Sequence, residues 1–79
     1  MSTEEIRELI LCNILDTLPE LEIELISIND DLEDLGLTPD ERAEIIEMTL
    51  ETLGIDRSHV EFVNARSIRA LGEQMSKLI

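Results

Sequence analysis

Carboxylates are the most abundant groups in this chain that could do chemistry: 19 Asp and Glu stand against six Lys and Arg, for a formal charge of −13. The densest run is Asn29-Asp30-Asp31-Leu32-Glu33-Asp34, with Gly36 and Glu41 beyond it. Oxygen donors ahead of a glycine suggest a calcium loop, which needs acids at fixed positions and a bidentate glutamate to close it. With Gly36 as the loop glycine, Asp31 falls first, Glu33 third and Leu35 fifth, and the closing position is Arg42. That spacing does not wrap a cation, so no dedicated metal site is expected, only weak divalent association at the surface. Cys12 and His59 are each the single residue of their kind, too few for a zinc cluster and with no sign of a nucleophile pair. Catalytic carboxylate pairs need a pocket that raises one pKa, and no pattern here marks one. No catalytic residue is expected. His59 is placed in a short turn, and Cys12 on a partly buried helix position.

Four helical segments must position these groups. The first is expected over about Thr3–Leu18, capped by Thr3, with Glu4 and Glu5 in its first turn and Pro19 after its end. Ile6, Leu9, Ile10, Leu11, Ile14, Leu15 and Leu18 recur there at helical spacing, as a broad stripe. Residues 19–37 form a long connection in which Leu21, Ile23, Leu25 and Ile28 partly alternate with acids, a pattern a strand also shows. Thr38-Pro39-Asp40-Glu41 then opens the best-marked helix. Thr38 and Glu41 form a capping box, Pro39 occupies the first helical position, and Gly54 ends the segment after Leu53. Asp56 to Phe62 predicts a short helical turn. Ile68, Leu71, Met75, Leu78 and Ile79 predict a last helix.

On the second helix, at 100° per residue, Asp40, Glu44, Glu47 and Glu51 fall within about 60° of one another. Ala43, Ile46, Leu50 and Leu53 face nearly the opposite way, and Arg42 lies off the acidic strip. Neighbouring like charges cost roughly 0.2–0.5 kcal/mol per pair in isolated helices. An unrelieved strip of this kind suits a basic partner surface, with Leu37 and Met48 as apolar contacts at its edge and Glu41 at its start.

The run Asp31-Leu32-Glu33-Asp34-Leu35-Gly36-Leu37-Thr38-Pro39-Asp40 resembles the site of acyl carrier proteins. There, Asp-Leu-Gly-x-Asp-Ser-Leu ends a loop and opens a helix whose first residue, a serine, carries phosphopantetheine. The resemblance runs without a gap from about Ile23 to Met75 and includes Ser67-Ile68-Arg69-Ala70-Leu71 at the start of the last helix. Set on Asp34-Leu35-Gly36, the serine slot falls on Pro39, which has no hydroxyl; Thr38 takes the aspartate position and Asp40 the leucine position. The resemblance implies an all-α, four-helix bundle with a long loop between helices one and two and a short third helix. It also implies that such an acidic second helix meets basic partner enzymes.

The expectation is a single domain over residues 1–79. It would be a non-enzymatic carrier-like module without phosphopantetheine, an accessory or regulatory subunit in fatty-acid, polyketide or related acyl metabolism. Its partner would be an acyl-transfer, ketosynthase or ligase enzyme with a basic patch. Two alternatives stay open: a small acidic inhibitor or immunity-type protein that binds a basic enzyme, and a carrier modified at an unconventional residue such as Thr38. Twelve of the 19 acids lie in residues 1–40, with Arg7 the single base there. Nucleic acid and anionic membrane are repelled by such a surface. Lack of a basic, apolar N-terminal leader and a lone cysteine suggest a reducing cytoplasm. Self-repulsion predicts that salt, and mild acidification if it raises carboxylate pKa values, stabilise the fold.

Overall fold

Capping side chains decide where the helices begin in the computed structural model, which describes residues 1–79. The first helix, α1 (Thr3–Thr17), is capped by Ser2 rather than Thr3. Ser2 Oγ accepts from the Glu5 N–H at 3.2 Å, and the Glu5 carboxylate accepts from the Ser2 N–H at 3.0 Å. Starting one residue earlier puts a glutamate at the third helical position; a cap at Thr3 would put Ile6 there, which cannot return the bond. Leu18 closes the helix through its N–H to the Ile14 carbonyl.

The second helix, α2 (Pro39–Leu53), has the expected box. Thr38 Oγ1 accepts from the Glu41 N–H at 3.2 Å, and Glu41 Oε1 accepts from the Thr38 N–H at 2.9 Å. The third, α3 (Ile68–Ser76), starts from Ser67, whose Oγ accepts from the Ala70 N–H at 3.1 Å. It buries Ile68, Leu71 and Met75, whereas Leu78 and Ile79 lie beyond its end and are exposed.

The architecture is all-α, with three α-helices instead of four. The segment expected as a short third helix is one 3₁₀ turn, His59–Phe62, capped by Ser58 and Glu61. Helices this short draw their stability from tertiary packing. Phe62 alone reaches the core from this turn, while Val60 and Val63 project outward, so no apolar stripe exists to support further turns.

No strand forms between α1 and α2. The connection contains 3₁₀ turns at Ile23–Leu25 and Leu32–Leu35, and its one β-type contact is an isolated bridge between Asp31 and Ser67. Leu32 and Leu37 are buried, and Leu21, Ile26, Ile28 and Leu35 pack against the core. The alternation noted in the sequence fails at Ile23 and Leu25, which point into water. Gly36 ends the second turn at φ +103°, a left-handed geometry that lets the chain reverse into α2 and that side-chain-bearing residues rarely adopt.

Ile6, Ile10 and Ile14 of α1 meet Ile45, Ile46 and Leu50 of α2 and the buried face of α3 in one core. Asn13 Nδ2 donates to Thr49 Oγ1 at 2.8 Å, and Thr49 Oγ1 donates to the Ile45 carbonyl at 2.8 Å, so the buried Thr49 hydroxyl has both a donor and an acceptor. Gly72 lets α1 approach α3: a Cβ there would lie 3.0 Å from Arg7 Cγ.

Candidate functional site

The start of α2 projects into solvent. Thr38, Pro39 and Asp40 are all exposed, with Pro39 at the first helical position and the Thr38 hydroxyl accepting the Glu41 N–H. The next residues along the same face are Glu44, Glu47 and Glu51, again exposed, while Glu41 is half-buried by its return bond to Thr38. One side of α2 therefore presents four carboxylates in line, as the sequence spacing requires.

Leu37 does not belong to that surface. It is 3% exposed and part of the core, since the left-handed Gly36 swings the following residue inward. Met48 is half-buried against the core and reaches the surface only in part. Exposed apolar area comes instead from the His59–Phe62 turn and the residue after it: Val60 is 59% and Val63 54% exposed.

That turn is tied to the acidic strip. Glu47 Oε1 accepts from the His59 backbone N–H at 2.8 Å and lies 2.7 Å from His59 Nδ1. A carboxylate oxygen only accepts, so Nδ1 carries the proton in this geometry. The His59 backbone bond, then its ring, hold the Glu47 carboxyl below the usual carboxylate range. The strip is thus relieved at one position by a residue twelve further along the chain.

Arg42, on the opposite face of α2, is 9% exposed. Its Nη2 donates to the carbonyls of Phe62 at 2.9 Å and Ala65 at 2.6 Å, fixing the segment that leads from the 3₁₀ turn to α3. Burial pushes its pKa down, though arginine keeps its charge. The helical wheel held a signal: Arg42 shares the inward stripe with Ile45, Ile46 and Thr49. Arg66 does the corresponding work for the loop. Its guanidinium pairs with Asp31 and Glu33, and the Arg66 bond holds the Asp31 carboxyl below its usual range. Two backbone bonds reinforce the same junction, from the Leu32 N–H to the Arg66 carbonyl and from the Arg69 N–H to the Ile28 carbonyl, each 2.9 Å.

No group of three or more His, Cys, Asp or Glu side chains is placed to hold a metal ion. Cys12 is exposed on α1, where partial burial was expected. A cleft of about 220 Å³ lies between α1, the connection and α3, with Leu11, Ile26, Ile28 and Ile68 on its walls and Arg7 beside them. Glu4 and Glu8 complete its lining, with no Ser, Thr, Cys, His or Lys among them. No helix is long and apolar enough to cross a membrane.

No protein-family model matches the chain. It is 36% identical over 73 residues to the polyketide biosynthesis acyl-carrier-protein AcpK of Bacillus subtilis (strain 168), covering 92% of this chain and 89% of that protein. Its fold superposes with a TM-score of 0.89 and 31% identity on a chain from the crystal structure of the curacin biosynthetic pathway HMG synthase in complex with acetyl donor-ACP. That match covers 98% of this chain and 99% of the other.

Proposed function

This chain belongs to the acyl carrier protein family, and from that membership we propose that it serves polyketide or related acyl metabolism without carrying phosphopantetheine itself. It acts by protein contacts, as an accessory or regulatory subunit that occupies a carrier-binding surface on a biosynthetic enzyme. The observation that carries this reading is Pro39 at the first helical position of α2, with no hydroxyl where the family resemblance puts the attachment serine. Thr38, one residue earlier, has its oxygen in the capping box. A helix that keeps its cap and its exposed acids while losing the nucleophile retains the recognition geometry alone.

The partner is an enzyme with a basic patch that meets Asp40, Glu44, Glu47 and Glu51. Acyl-transfer, ketosynthase and ligase enzymes fit, as does an HMG synthase of the kind seen with the structural relative. Charge steers the encounter and Val60 and Val63 supply apolar contact beside it, because acids at a rim set association rate more than affinity. The domain performs no catalysis of its own.

Intact mass after incubation with coenzyme A and a broad phosphopantetheinyl transferase tests this directly. The native chain is expected to keep its mass, and the triple variant Thr38→Asp, Pro39→Ser, Asp40→Leu to gain one phosphopantetheine. A gain on native Thr38 would replace this reading with that of a working carrier of unconventional chemistry.

A further inference from the structure

The first 3₁₀ turn of the connection holds two large apolar side chains in water. Ile23 is 51% and Leu25 74% exposed, the latter the most exposed large apolar residue of the chain. A flexible loop could fold such groups away, but this one is fixed on both sides. Leu21 and Ile26 pack against the core, and the turn closes through the Leu25 N–H to the Glu22 carbonyl at 3.0 Å and the Ile26 N–H to the Ile23 carbonyl at 3.2 Å. Beyond it, the Ser27 N–H donates to Asp30 Oδ2 at 3.1 Å. Ile23 and Leu25 are therefore displayed without an ordering cost to be met on binding.

Their surroundings select the partner. Glu20, Glu22 and Glu24 are exposed, and none is in an ion pair; Arg66 is committed to Asp31 and Glu33 at the far end of the same connection. No Lys or Arg occurs between Arg7 and Arg42. We propose that Ile23 and Leu25, alternating along the chain with Glu22 and Glu24 and preceded by Glu20, form a second docking surface that inserts into an apolar pocket rimmed by Lys or Arg on a partner protein. The acids exclude nucleic acid and anionic membrane, both of which would be repelled. An apolar pocket with a basic rim matches both features at once: burying Leu25 provides affinity and the three carboxylates provide orientation. This surface is built from a different element than the α2 strip and does not depend on the carrier-type reading.

A defined probe is an amphipathic helical peptide of leucine and lysine, its leucines on one face and lysines flanking them. Titration into the labelled protein, followed by backbone amide shifts, is expected to move Leu21–Ser27 most. Ile23→Ser with Leu25→Ser, which alters no charge, is expected to weaken binding at least about tenfold with an unchanged helical circular dichroism spectrum. Glu4→Gln with Glu8→Gln, which removes two charges from α1, is expected to weaken it by less than about threefold. Shifts spread evenly over the acidic surface, or serine variants that bind within about twofold of native, would overturn the proposal. So would binding to phosphatidylcholine vesicles that the serine substitutions abolish, because the turn would then be a lipid contact.

Discussion

Arg42 Nη2 lies 2.6 Å from the Ala65 carbonyl oxygen and joins the start of α2 to the residues that lead into α3. The same nitrogen donates to the Phe62 carbonyl, which also accepts from the Ala65 N–H at 3.0 Å, so the buried guanidinium is the partner on which the Ala65 carbonyl depends. Replacing it removes two charge-assisted bonds and leaves the buried Ala65 carbonyl without a partner, while Phe62 keeps its bond from the Ala65 N–H.

Arg42→Met is accordingly expected to destabilise by about 2–4 kcal/mol. In a domain of this size that lowers the melting temperature by more than about 10 °C. Thermal denaturation checks it; a loss under about 1 kcal/mol would show that water replaces the guanidinium at both carbonyls.

Gly72 and Arg7 are expected to be coupled. Alanine within a helix gains about 1 kcal/mol over glycine, but here its Cβ meets Arg7 Cγ at 3.0 Å. Gly72→Ala should therefore be near neutral in the native background and stabilising by about 1 kcal/mol with Arg7→Ala. Urea denaturation of the four proteins measures this, and equal effects in both backgrounds would remove the close approach as the reason for glycine.

Acid should weaken the fold, opposite to the expectation from bulk repulsion. Glu5, Asp31 and Glu47 are shifted, each downward and each by hydrogen bonds made in the folded state. Groups with lowered folded values bind fewer protons than in the unfolded chain. Their stabilisation is present above the unfolded value, near 4.5 for Glu47, and is lost as pH falls through the lower folded one. The urea midpoint should hold from about pH 7 to 5 and drop below about pH 4.5, less steeply in Glu47→Gln. Greater stability at about pH 4 than at pH 6 would mean that repulsion dominates.

Glu44→Lys with Glu51→Lys tests the α2 strip without cutting the Glu47–His59 link. Against the enzyme partner proposed above, association should slow by about tenfold or more while helix content stays unchanged. The matched control is Glu4→Lys with Glu8→Lys on α1, which spares the Glu5 capping bond. Equal loss in both doubles would assign the effect to net charge.

The sequence by itself determined the local features. Thr38, Pro39 and Glu41 fix the start of α2 because a capping box involves only residues three apart, and the 3.6-residue period lines up Asp40, Glu44, Glu47 and Glu51. Ile6, Ile10 and Ile14 lie within the broad apolar stripe that the same period marks on α1, but their being its buried members was settled by packing. Ser2 instead of Thr3 as the cap of α1 was also open to that logic, through Glu5. Tertiary structure decided what depends on distant partners. The burial of Arg42 rests on carbonyls 20 and 23 residues away, and the Asp31–Arg66 pair spans 35. Leu37 went into the core and Leu25 into water although both are leucines in one connection, because the anchors at Leu21, Ile26 and Leu32 and the turn at Gly36 set which side chains face inward. The third helix shrank to a 3₁₀ turn because only Phe62 found a place in the core. Spacing along a chain fixes which residues share a face; the neighbours that face will meet are fixed only once all three helices pack.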